Sequence, residues 1–197
     1  MSDNPLAPPP WLDAPPVEEY PFEDTHDLRH GPDLNHALLG LLPFIGVWRG
    51  RGVGGYPTID DFHFAQDLRI SHDGRPFLAY ESKSWLIEED GTPIRISARE
   101  VGWIRPVMAQ DGSATDEIEV LLSSHIGVME LYVGRVDGVK LEIATDAVVR
   151  TATAKPVAAS RRLYGIVEGA LLYAHEMAAM GQPMASHLSA RLIRVGG

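Results

Sequence analysis

The sequence predicts an all-β fold, an antiparallel barrel of about ten strands with a short N-terminal helix. Three observations predict it. Asp-Gly pairs stand between apolar runs at Asp73-Gly74, Asp90-Gly91, Asp111-Gly112 and Asp137-Gly138. That dipeptide between strand-like runs is the strongest short-range hairpin signal, so the topology meanders. So many strands in one open sheet would expose long edges, and closing the sheet removes them. Finally, the stretch 44–58, FIGVWRGRGVGGYPT, sets Gly46, Trp48, Gly50 and Gly52 on one strand face, a single large ring in a row of absent side chains. Such a row implies either a sharp bend at a barrel corner or close approach of another backbone or a ligand.

Residues 1–32 differ from the rest. Pro5, Pro8, Pro9, Pro10, Pro15 and Pro16 exclude a helix and a central strand, and Asp13, Glu18, Glu19, Glu23, Asp24 and Asp27 add like charge. This reads as a disordered or loosely docked extension. Trp11, Tyr20 and Phe22 are the residues in it able to pack onto the barrel or a second subunit. The barrel domain is placed at 33–197. Asp33 is a candidate cap for a helix over 34–42, stopped by Pro43, with Leu34, Leu38, Leu41 and Leu42 as its apolar stripe. After the glycine-rich strand, strand runs are expected at 60–72, 76–89, 94–107, 117–124, 128–136, 139–144, 161–168, 170–179 and 187–195.

Composition removes several classes of function. Cysteine is absent, so disulfides, thiolate catalysis, Cys-ligated zinc, iron–sulfur clusters and thioether-attached haem are excluded. A net charge of -10 disfavours nucleic acid and anionic membrane as partners. No apolar run reaches membrane-spanning length and no apolar leader follows Met1, so the expected location is cytoplasmic. No GxSxG, HExxH or P-loop is present. Asp60-Asp61 and Glu88-Glu89-Asp90 read as solvated turn charge, and Arg161-Arg162 as a strand-edge charge pair. Met177, Met180 and Met184 read as core filling. Among the eight histidines, His63, His72, His125 and His175 show no partner spacing. His187 opens the last strand after Gly181-Gln182-Pro183.

The heptapeptide Gly46-Val-Trp48-Arg-Gly50-Arg-Gly52 resembles the GxWxGxG signature of the nitrobindins, haem-binding β-barrels related in fold to the fatty-acid-binding proteins and lipocalins (calycins). Tyr56-Pro57-Thr58-Ile59, Thr153-Ala154-Lys155 and Gly181-Gln182-Pro183 with His187-Leu188 resemble the family in the same order, over about residues 34–195. The resemblance implies haem b, one per chain and non-covalent, held mainly ferric, with His187 as axial iron ligand. It places Thr58 near the distal side and Lys155 at the haem edge, where its ammonium can pair with a propionate. It implies isomerisation of peroxynitrite to nitrate and binding of nitric oxide, with no catalytic group beyond the haem iron. The alternatives are a barrel carrying a fatty acid or other apolar ligand, and a haem carrier or sensor without turnover. A homodimer is left open. One point stands against simple alternation: Leu188, Ala190 and Leu192 share one face of the last strand, which turns His187 to the other. A rim position or a bulge would reconcile the two.

Overall fold

The computed structural model describes residues 11–197, so Pro5, Pro8, Pro9 and Pro10 of the expected extension lie outside it. Ten antiparallel strands close into one barrel: β1 (Gly46–Tyr56), β2 (Ile59–Ser71), β3 (Leu78–Ile87), β4 (Pro93–Met108), β5 (Ala114–Ser124), β6 (Val128–Asp137), β7 (Lys140–Arg150), β8 (Val157–Val167), β9 (Ala170–Ala179) and β10 (Ala185–Gly196). Each strand pairs with its neighbour in sequence, and β1 pairs with β10 to close the ring. No helix among the described residues is long and apolar enough to cross a membrane.

The expected helix is present but is a 3-10 helix, His36–Phe44, and it runs through Pro43. Its cap is Asn35 rather than Asp33: the Asn35 side chain accepts from the Ala37 amide at 3.1 Å and donates to the Gly74 carbonyl at 3.2 Å. The tighter winding explains which side chains it buries. Three residues per turn align Leu38, Leu41 and Phe44, all almost fully buried, and leave Leu42 exposed. An α-helical stripe would have buried Leu42 instead.

This helix plugs one end of the barrel beneath Trp48. The Trp48 ring is 0% exposed and its Nε1 donates to the Phe44 carbonyl at 2.9 Å. The Arg194 guanidinium covers the ring at 4.1 Å. The glycine row around Trp48 is accounted for by close approach: a Cβ at Gly50 or Gly52 would run into the carbonyl oxygen of Arg191 or Ser189 on β10. Leu68, Leu78, Ile118, Leu171 and Leu192 pack into this closed half as one apolar core.

Beyond Ala144 the wall loosens. β7 pairs with β8 only over Lys140–Ala144, while its pairing with β6 continues to Arg150. For this reason β7 is longer than the expected 139–144. Thr145 Oγ1 accepts from the Ser160 amide at 3.0 Å and bridges part of the gap. The turns β1–β2, β3–β4, β5–β6, β7–β8 and β9–β10 ring this open end.

The segment before the helix is hydrogen-bonded to the barrel near the end of β2. Thr25 and His72 exchange backbone hydrogen bonds of 2.7 and 2.8 Å, and the Asp24 carboxylate accepts from Arg69 at 2.6 Å and Ser71 at 2.7 Å. Trp11, Tyr20 and Phe22 are exposed, so the aromatic residues do not make this attachment.

Candidate functional site

The open half of the barrel holds a cavity of about 170 Å³. Its walls near the mouth are Phe62, Phe64, Ile126, Val157, Met177 and Leu188, and its deeper lining is polar. A separate groove of about 640 Å³ runs outside the wall along Gly54, Tyr56, Asp61, His63 and Ser189. His187 borders both.

His187 reaches the cavity because of a bulge. The register between β9 and β10 shifts between Ser186 and Leu188, leaving His187 without a pairing partner. The two residues His187 and Leu188 then both line the cavity, which regular pleating forbids. His187 Nδ1 lies 3.0 Å from the Gly55 carbonyl oxygen. A carbonyl only accepts, so Nδ1 carries the proton and Nε2 keeps its lone pair. Burial pushes the imidazole below its ordinary value, opposed by the Gly55 hydrogen bond. The neutral form with a free Nε2 is the form that ligates a metal. The rings of Tyr56, Phe62 and His175 pack on His187 at 5.9, 6.4 and 5.6 Å between centroids.

Thr58 and Lys155 are both exposed, in the β1–β2 and β7–β8 connections, at the same end of the barrel as His187. Neither side chain is part of the cavity wall. Gly46, Trp48 and Gly50 lie towards the opposite end, where they shape the plug and the β1–β10 seam, and Gly52 continues that seam beside Phe64 of the cavity wall. The carboxylates of Asp60, Asp61, Glu88, Glu89 and Asp90 are exposed, as turn charge should be. Met177 does line the cavity, but Met180 and Met184 are exposed in and beside the β9–β10 turn rather than filling a core.

The expected charge pair Arg161-Arg162 is a pair only in sequence. Arg161 faces out to Glu176, whereas Arg162 is 5% exposed inside the barrel. Strand alternation separates them, and a buried guanidinium demands partners. Arg162 binds Glu100 through both terminal nitrogens at 2.9 and 2.6 Å and donates to the Tyr132 hydroxyl at 3.0 Å. Glu130 stands 3.5 Å away and also takes the Ser160 hydroxyl at 2.6 Å. Burial opposes ionisation of both groups, but the mutual attraction holds Glu100 below and Arg162 above their ordinary values. His175 is the other residue that isolated spacing does not reveal. It is buried in the cavity, its Nε2 has no partner, and burial, Arg162 and His187 push it well below its ordinary value. The signal for both lies in the alternation: Arg162 shares a face with Tyr164, and His175 with Leu171 and Tyr173.

Comparison with known proteins identifies the barrel as a whole. The family model of the THAP4-like, heme-binding β-barrel domain matches residues 37–194. A protein of Salinispora tropica named peroxynitrite isomerase is 66% identical over the whole of both chains. A ferric nitrobindin-like protein of Saccharopolyspora erythraea is 45% identical over 88% of this chain and 81% of its own length. The crystal structure of Rv2717c from M. tuberculosis superposes with a TM-score of 0.71 at 36% identity, covering 82% of this chain and 99% of that one. A match over nearly the whole barrel, joined to full-length relatives, places this chain in the THAP4-like haem-binding β-barrel family, the nitrobindins.

Proposed function

We propose that this protein is a ferric haem protein that isomerises peroxynitrite to nitrate and binds nitric oxide, with His187 as the iron ligand. The observation that carries the reading is the state of His187: bulged into the cavity wall, neutral, with Nδ1–H committed to Gly55 and Nε2 free. The residues present fit a haem. The cavity alone, at about 170 Å³, falls below the roughly 300 Å³ at which drug-sized ligands begin to be enclosed. The groove on the other side of His187 and the splayed mouth supply the remaining room. Phe62, Phe64 and Leu188 offer apolar surface beside the imidazole. With no cysteine in the chain, attachment is non-covalent, as in a b-type site.

When bound, held by His187, a ferric haem would supply a Lewis-acidic iron to polarise the anionic oxygen of peroxynitrite on its way to nitrate. The chain's own part is positioning and exclusion. Gly55 fixes the tautomer and plane of His187. Lys155, exposed at the mouth, offers an ammonium to a propionate or to an arriving anion, and Thr58 a hydroxyl at the same end. The net charge of -10 supports a small-molecule substrate over nucleic acid.

The apolar-carrier reading has less support. A fatty-acid carboxylate inside the barrel needs a free cation, and Arg162 is already paired with Glu100 and Glu130. Stopped-flow decay of peroxynitrite tests the proposal. The rate should rise in proportion to haem-loaded protein, with nitrate as the product. Equal decay with loaded and haem-free protein would leave a carrier or sensor.

A further inference from the structure

The floor of the cavity is a layer of tyrosines that iron ligation does not use. Tyr80, Tyr164 and Tyr173 all line it, and each is less than 9% exposed. The rings of Tyr164 and Tyr173 stand 5.4 Å apart at a tilt of 34°. Tyr173 donates its hydroxyl to Gln66 Oε1 at 2.7 Å, and Gln66 Nε2 donates to Ser82 at 2.8 Å. Tyr80 lines the cavity from β3, and Tyr164 and Glu100 line it from β8 and β4. Below the layer lies the apolar core of the closed end, lined by Phe44, Ile70, Ile104 and Leu171 among others. Above it, Tyr173 is two positions along the inward face of β9 from His175, whose ring packs on His187.

We propose that this layer is a modification site: a sacrificial one-electron reductant that is nitrated by peroxynitrite fragments escaping recombination. The inference rests on the function proposed above. The placement supports it in three ways. The apolar core beneath stops a fragment from passing through the barrel, so one that gets past Met177 near the mouth ends its path at these phenols. The contact between Tyr164 and Tyr173 lets the two rings share an electron hole. No thiol exists in the chain to compete, and Met177, which also lines the cavity, reacts by oxygen transfer to a sulfoxide rather than by nitration.

The step balances without another reagent. Homolysis of the O–O bond in peroxynitrous acid gives nitrogen dioxide and a hydroxyl-equivalent oxygen fragment. The tyrosine phenol gives an electron and a proton to the oxygen fragment, which leaves as water. Nitrogen dioxide then forms a C–N bond at the ring carbon beside the hydroxyl. The hydrogen on that carbon moves as a proton to the phenoxyl oxygen and restores the phenol. One peroxynitrous acid and one tyrosine therefore yield one nitrotyrosine and one water.

Haem-loaded and haem-free protein are each treated with peroxynitrite, digested and mapped by mass spectrometry, with nitrate yield measured in the same samples. Exposed Tyr20 serves as the bulk-solution control. The expected result is nitration of Tyr173 or Tyr164 in the loaded protein, lost in the haem-free protein. Tyr20 should be nitrated less when haem is present. Tyr173→Phe should bind haem normally, and the nitro group should shift to Tyr164 or Tyr80. Normal nitrate yield with nitro groups confined to Tyr20, or with Met177 sulfoxide and unmodified cavity tyrosines, would overturn the inference while leaving the function intact. Peroxynitrite decay unaffected by haem loading would remove the function and this inference with it.

Discussion

In the proposed site, His187 can ligate iron only while its two ring nitrogens stay in different states. Nδ1 holds the proton for Gly55, and Nε2 must remain unprotonated. The buried position lowers the affinity of the ring for a second proton. His175 and His72 are lowered by burial as well. A histidine whose folded value is depressed contributes full stability above its ordinary value of 6.5 and loses it as pH falls below that value. Barrel stability should therefore be level from neutral pH upwards and begin to decline below about 6.5, whereas haem retention should persist further, until pH falls through the lowered folded value of His187. A pH titration followed by the Soret band and by circular dichroism checks this; a loss of stability that begins on raising the pH would reverse the sign. Arg162 makes a different prediction. Arg162→Met leaves Glu100 and Glu130 buried without their cation and should cost roughly 3–5 kcal/mol. Chemical denaturation measures it, and the double change with Glu100→Gln should recover part of the loss.

At the scale of elements, β1 and the 3-10 helix form one closing device. The Trp48 ring fills the space that the neighbouring glycines vacate, and Phe44 both packs beneath it and accepts its Nε1–H. Trp48→Ala should destabilise by roughly 3–5 kcal/mol while leaving His187 and the mouth in place. An unchanged melting midpoint would contradict that role. These elements also show what a sequence reveals. Ten strands and their order were legible because Asp-Gly turns and period-two alternation are local signals. The winding of the helix was not, since Leu38, Leu41 and Leu42 suit a 3-10 or an α pattern until packing chooses. His187 was legible as a position by resemblance alone. Its inward aim depends on the break in pairing between Ser186 and Leu188, which no local pattern encodes. Arg162 looked like surface charge because its partner Glu100 lies on β4, 62 residues earlier. Only the closed barrel brings the two strands to one cavity.

For the whole molecule, the barrel has a rigid apolar end and a functional open end, and the preceding segment fastens to the rigid one. Its hydrogen bonds to the barrel run through Asp24 and Thr25, against β2 and the start of its turn into β3, and His26 lies beside Gly196 and Gly197 at the end of β10. Removing residues 1–23 should leave the melting midpoint unchanged, whereas removal through residue 32 should cost about 1–3 kcal/mol from lost hydrogen bonds. Neither truncation should alter haem affinity, because the contacts lie at the far end from His187. In the proposed function, His187 is what fixes the haem in this barrel. Haem titration of the His187→Ala protein, followed by the Soret band with circular dichroism in parallel, tests it most directly. The expected result is an intact β-sheet spectrum with stable haem binding lost. A normal Soret band, with unchanged stoichiometry and full peroxynitrite turnover, would contradict it and turn attention to His175.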